Sequence, residues 1–165
     1  METSEIPSQP ESTASFASKL ALELQQAILQ HEAGAMAGDI ESVHNMRVGI
    51  RRLRVAINNF AACFGKKDWR RWRTSLENLA DALGAVRDLD VMIQALKRQQ
   101  AAKPEEEQAA VAKFIRRLHA RRRQRLRKLL AYMRGEEYAG FKQEFFADKS
   151  ENVSNLEDAN NEQAA

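Results

Sequence analysis

A second cysteine, strand-like alternation and a long apolar run are all missing from this 165-residue sequence. With Cys63 alone no intrachain disulfide can form, so a disulfide scaffold is excluded and a reducing compartment suits the chain. Cys63 stands beside Phe64 at the apolar end of a helical pattern and is expected to pack in the core. No apolar run approaches the roughly 20 residues that cross a bilayer. Residues 1–11 are polar and acidic, carry Pro7 and Pro10, and lack the basic start and apolar stretch of a secretory signal. A cytoplasmic location is therefore expected. Period-two alternation appears nowhere, which leaves helices as the building material.

What is abundant is charge, and it is segregated. The formal net charge is only +3, yet residues 44–134 hold 23 Lys/Arg against 8 Asp/Glu, while the rest of the chain is net −12. A block of one sign raises a field that draws in counter-charges. The hydrophobic content of 44% is enough for one ordinary domain. Residues 1–11 read as a disordered arm, 12–147 as a helical domain and 148–165 as an acidic tail with little to bury.

Four main helices follow from apolar periodicity. The first opens at Ser12 or Thr13, carries Phe16, Leu20, Leu24, Ala27 and Ile28 on one face, and fades near Gly34 and Gly38. Asp39 caps the second, which runs to about Phe64 and stops at Gly65. The third carries Trp69, Trp72, Leu76, Leu79, Leu83, Val86 and Ile93 and reaches about Gln99. The fourth spans about 104–134, with Pro104 in its first turn, and turns Val111, Phe114, Ile115, Leu118, Leu129 and Met133 inward. A short amphipathic helix with Tyr138, Phe141, Phe145 and Phe146 closes the open side. The expected fold is all-α, an antiparallel bundle of four main helices plus that short C-terminal helix.

The second helix bears two parallel stripes. Val43, Met46, Ile50, Leu53, Ile57, Phe60 and Phe64 are apolar, and His44, Arg47, Arg51 and Arg54 are basic at the same spacing, offset by one residue. A helix that needed only solubility would mix its charges; aligned cations suit a polyanion. On the fourth helix Arg117, Arg121 and Lys128 flank the apolar face in the same way. Arg87, Asp90, Arg122 and Arg125 fall where the pattern asks for apolar side chains. Buried charge is costly unless paired or ligated, and one carboxylate cannot satisfy three arginines. A groove with two basic walls and Arg87, Arg122 and Arg125 as its floor accounts for them. Arginine binds phosphate oxygens in pairs, so one-turn repeats of arginine fit a chain of phosphates, and His44 can donate hydrogen bonds to it. Arg116, Arg123 and Arg127 point away from the seam.

The stretch Val43-His44-Asn45-Met46-Arg47-Val48, continued by Arg51-Arg52-Leu53-Arg54 and later by Leu83-Gly84-Ala85-Val86-Arg87-Asp88-Leu89-Asp90-Val91, resembles the two signature segments of the conserved histidine α-helical domain (CHAD) family. The resemblance implies an all-helical, non-catalytic module that binds inorganic polyphosphate through a basic surface and, in some organisms, localises to polyphosphate granules. It carries over the histidine as His44 and the motif arginines as Arg47, Arg51, Arg52, Arg54 and Arg87; Arg52 sits farthest from the core seam. Arg117, Arg121, Arg122, Arg125 and Lys128 rest on charge and spacing alone. Family members typically contain two four-helix halves, and this chain has residues for one. It is thus expected to be a short form, a truncation, or a protomer of a homodimer that rebuilds the double module.

Three other readings compete. Nucleic acid would attract the same arginines, although no recognition motif and no aromatic residues interleave with the ridge. A protein-protein scaffold with a solvated basic face needs no anion. A phosphohydrolase would need clustered metal ligands, yet Glu105 and Glu107 lack the following Lys of a Glu-x-Glu-x-Lys strand, and Asp88 and Asp90 project about 160° apart on a helix. No cofactor or metal is expected.

Overall fold

The computed structural model describes residues 13–63 and 66–145. In order come α1 (Thr13–Leu29), α2 (Glu32–Ala37), α3 (Ile40–Asn59), a short 3-10 turn (Ala61–Cys63), α4 (Lys66–Ala101) and α5 (Glu105–Met133); residues 136–145 form α6. No strand occurs among the described residues. The all-α bundle expected from periodicity is the architecture observed.

Local chemistry sets the boundaries. Asp39 is extended (φ −63, ψ 130) and its side chain accepts a hydrogen bond from the Ser42 backbone at 2.8 Å, as an N-cap should. Gly38, just before it, closes α2 at φ +79, a left-handed conformation open to glycine without strain. A Cβ there would also stand 2.6 Å from Leu126 of α5. Gly49 permits a second close approach, since a Cβ on it would lie 2.7 Å from the Ile28 side chain of α1.

Several boundaries differ from expectation. The first helix breaks at Gln30 and His31 and restarts as α2, a change of direction that seats Ala35 in the core with no exposed surface. α3 ends at Asn59 rather than near Phe64, because two asparagines, poor helix formers whose side chains compete for backbone bonds, precede the turn. Phe60 then meets Phe16 edge-on at 5.8 Å. Phe64, Gly65, Phe146, the Cys63 side chain, residues 1–12 and the acidic tail lie outside the described residues. α4 begins at Lys66, earlier than Trp69, and Pro104 is the N-cap of α5 rather than part of its first turn.

The apolar stripe of α3 is the centre of the core: Val43, Met46, Ile50, Leu53 and Ile57 are each at most 1% exposed. Each such burial stabilises by roughly 1.5–3 kcal/mol before entropy is counted. Leu76, Leu79, Leu83 and Val86 of α4 and Leu129 and Met133 of α5 meet that stripe. α6 closes the remaining side with Tyr138, Phe141 and Phe145; Phe145 sits edge-on to Trp72 at 4.9 Å, and its carbonyl accepts a hydrogen bond from buried Gln25 at 2.9 Å. Lys142 pairs with Glu32 at 2.7 Å, tying α6 to α2.

At 36 residues α4 is about 54 Å long, against about 30 Å for α3. The far ends of α4 and α5 therefore form a two-helix arm with its own small cluster of Ile93, Ile115 and Leu118. Phe114, expected inward, is 47% exposed there because only α4 is available to cover it.

Asp90 of α4 is 2% exposed and forms a two-pronged ion pair with Arg122 of α5, whose Nη2 also donates to the Gly38 carbonyl at 2.9 Å. Removing one partner of such a pair strands a buried charge. Asp90→Ala is expected to cost roughly 3–5 kcal/mol in urea denaturation, and replacing both residues by Leu and Met should recover much of that loss. A second outcome concerns base. Burial, and then Glu137, pushes the Tyr132 hydroxyl from 10.0 up to about 12. Between those values the unfolded chain loses the tyrosine proton while the folded chain keeps it, so stability should fall as pH rises above about 10. Tyr132→Phe should flatten that decline, measured by denaturation at a series of alkaline pH values.

Candidate anion-binding site

The two basic ridges do not face each other directly; both lie against α4, which packs on α3 and on α5. On the α3 side the antiparallel register is fixed at two points. Arg54 Nη2 reaches Glu77 Oε1 at 3.4 Å, and Arg47 Nε lies 3.5 Å from where a Cβ on Gly84 would be. One turn beyond Arg47, that register brings His44 level with Arg87. On the α5 side a cleft of about 530 Å³ is lined by Ala85, Asp88 and Leu89 of α4 and by Arg121, Gln124 and Arg125 of α5. Gly84 and Ala85 are chain neighbours, so the α3 ridge and the α5 ridge converge on one turn of α4.

This geometry revises the expected floor. Arg122 is turned inward, its side chain 13% exposed and its donors committed to Asp90 and the Gly38 carbonyl. The carboxylate of Asp90 thus pairs with Arg122, not with Arg87. Arg87 is half-buried on the α3 side of α4, and Arg125 stands in the α5 wall beside Arg121. The surface between the walls is Gly84, Ala85 and exposed Asp88. Sequence reasoning overlooked Gly84 and Gln124 as parts of the site, and treated Asp88 only as a poor metal ligand. The i, i+3, i+4 run of Arg121, Gln124 and Arg125 was the available signal.

Arg51 and Arg52 face elsewhere. They line a second cleft of about 560 Å³ between α1 and α3 with Leu20, Leu24, Val48, Val55 and Phe60. Arg117 and Lys128 are exposed on α5. Among the described residues, no ion pair engages Arg47, Arg51, Arg52, Arg87, Arg117, Arg121, Arg125 or Lys128. His44 has its Nδ1 buried without a hydrogen-bond partner, a costly state for an imidazole nitrogen.

Glu77 behaves differently from the rest of the acidic groups here. It accepts from Arg73 Nε at 3.0 Å as well as from Arg54, and the Arg73 hydrogen bond, ahead of the pull of both guanidinium charges, holds its carboxyl below the ordinary 4.5. It stays anionic throughout the neutral range and cancels charge at that end of the ridge.

The described residues contain no group of three or more His, Cys, Asp or Glu placed to hold a metal ion, and no helix long and apolar enough to cross a membrane. Fold and site together define an all-α module whose distinctive surface chemistry is a set of unpaired arginines. The chain belongs to the CHAD-domain family, whose model matches residues 19–159. CHAD domains are known in general for polyphosphate binding. No curated protein and no solved structure matches the chain.

Glu77→Gln keeps the shape of the side chain and releases Arg54 and Arg73. Elution of that variant from a phosphocellulose column should move to higher salt than the parent's; an unchanged position would show that this end of the ridge does not meet the anion.

Proposed function

We propose that this protein binds inorganic polyphosphate, without catalysis, across the surface that α3, α4 and α5 share. The observation that carries the reading is the convergence of Arg47 with Arg121 and Arg125 on the Gly84–Asp88 turn, with none of the three engaged by a carboxylate among the described residues. A guanidinium presents a fixed fork of donors to phosphate oxygens and never loses its charge at physiological pH. Several such forks on neighbouring helices suit a ligand that repeats one anionic group along its length. Arg117 and Lys128 extend the path along α5, while His44 and Arg87 continue it along α3 and α4. Arg51, Arg52 and Arg54 add field at the edge. Guanidiniums orient and neutralise phosphates but supply no nucleophile or base, which supports binding over hydrolysis.

By the same reading the protein associates with polyphosphate granules where a cell holds them, and a second copy lengthens the basic surface beyond what one half-length bundle offers. Nucleic acid is the rival ligand, since its backbone phosphates attract the same side chains.

Titrating long-chain polyphosphate at increasing salt should give a steep linear fall of log affinity with log salt, as counterion release requires. The variant Arg47→Ala/Arg51→Ala/Arg121→Ala/Arg125→Ala should bind at least tenfold more weakly and show a shallower salt slope. Equal binding by parent and variant sinks the assignment. Equal displacement by DNA and by polyphosphate at matched phosphate concentration favours the nucleic-acid reading instead.

A further inference from the structure

Three carboxylates of α4 lie on or near the surface assigned to the phosphate chain, and they have different fates. Glu77 is held by Arg54 and Arg73, and Asp90 is buried against Arg122. Asp88 is exposed, lines the same cleft as Arg121 and Arg125, and has neither a hydrogen bond nor an ion pair among the described residues, although two guanidiniums share its cleft. A free carboxylate in the middle of a surface that binds a polyanion is electrostatically wrong for the ligand alone. A unit charge about 6 Å from another in water opposes binding by about a factor of three.

The repulsion reverses sign if the anion arrives with a divalent cation. Mg²⁺ dehydrates reluctantly, keeps several waters, and is characteristically held by one or two carboxylates together with phosphate oxygens rather than by an all-protein cage. The cleft offers one free carboxylate among its lining residues and, with no cluster of three ligands among the described residues, cannot hold such an ion unaided. Its geometry suits a ternary arrangement: the arginines of α5 take phosphate oxygens directly, and Asp88 takes the cation that those phosphates carry.

We propose that Asp88 is a metal-bridging residue, through which the surface prefers a phosphate chain complexed with Mg²⁺ or a similar hard divalent cation over the bare chain. This rests on the polyphosphate reading above and adds to it the form in which the ligand is taken. Asp88 in this role binds neither metal nor phosphate alone; it reads their combination, and the Arg121 and Arg125 pair supplies the anchoring charge.

The test compares the parent protein with Asp88→Asn in two buffers, one containing EDTA and one containing millimolar Mg²⁺ at matched ionic strength, using isothermal titration with long-chain polyphosphate. The substitution is isosteric and exposed, and circular dichroism with thermal melting checks that the bundle is intact. Mg²⁺ also binds the polyphosphate itself, but it does so identically for both proteins, so the ratio of their affinities isolates Asp88. In EDTA the variant is expected to bind about threefold more tightly, because a repulsive charge has gone. In Mg²⁺ that advantage should vanish or reverse. The same ratio in both buffers would show that Asp88 acts only as a fixed charge, and indistinguishable proteins in both would show that it does not meet the ligand; either result overturns the proposal while leaving polyphosphate binding intact. A parent that binds polyphosphate in neither buffer overturns the functional reading itself, and this proposal with it.

Discussion

The buried pair of Asp90 and Arg122 is the constraint from which the arrangement of the functional surface follows. A carboxylate that is 2% exposed has to meet a cation, and a guanidinium has to spend its donors, so the two residues fix how α5 lies on α4. The third bond, from Arg122 to the Gly38 carbonyl, reaches the residue that precedes the Asp39 cap and so ties the start of α3 to the same point. Rotation of α5 is then no longer free. With Arg122 directed inward, its neighbours Arg121 and Arg125 fall on the adjoining face and line the cleft with Asp88.

α4 is the common support for both basic ridges. It is the longest helix, packs on α3 along one flank and on α5 along the other, and carries the small residues Gly84 and Ala85 where the two flanks come nearest. Small side chains keep that turn low, and the long arginines rise on either side of it. The polar contacts of α6 with α1 and α2 lie away from this surface, closing the core from the opposite direction. Stability and charge presentation are thereby divided between faces: apolar contacts and one ion pair hold the bundle, and the unpaired cations are left to a ligand.

Much of this was legible in the chain. The Asp39 cap, the apolar stripe of α3, the seam of Leu76, Leu79, Leu83 and Val86, and the closing role of Tyr138, Phe141 and Phe145 all follow from spacing and composition, because each depends on residues within a few turns of one another. The convergence of His44, Arg47 and Arg87 near one end of the site also followed from two recognisable segments. The break at Gln30 and His31 was hidden because no glycine or proline marks it; the demand to bury Ala35 makes it. Phe114 looked like a core residue because periodicity records which face a residue occupies and says nothing of whether another helix reaches that far.

The sequence by itself determined the class of fold, the caps, the core stripes and the existence of two aligned sets of cations, since these are properties of single helices and their periods. Only the tertiary structure decided which arginine is sacrificed to the core and which remain available. Arg122 and Arg125 are three residues apart on one helical face and read alike in the chain; a single buried carboxylate on α4 can satisfy one guanidinium, and packing gave it Arg122. The same packing separated Arg51 and Arg52 from the α4 floor and left Asp88 free in the cleft, because the side of a helix that meets a neighbour depends on the partner's position and is not written in its own period.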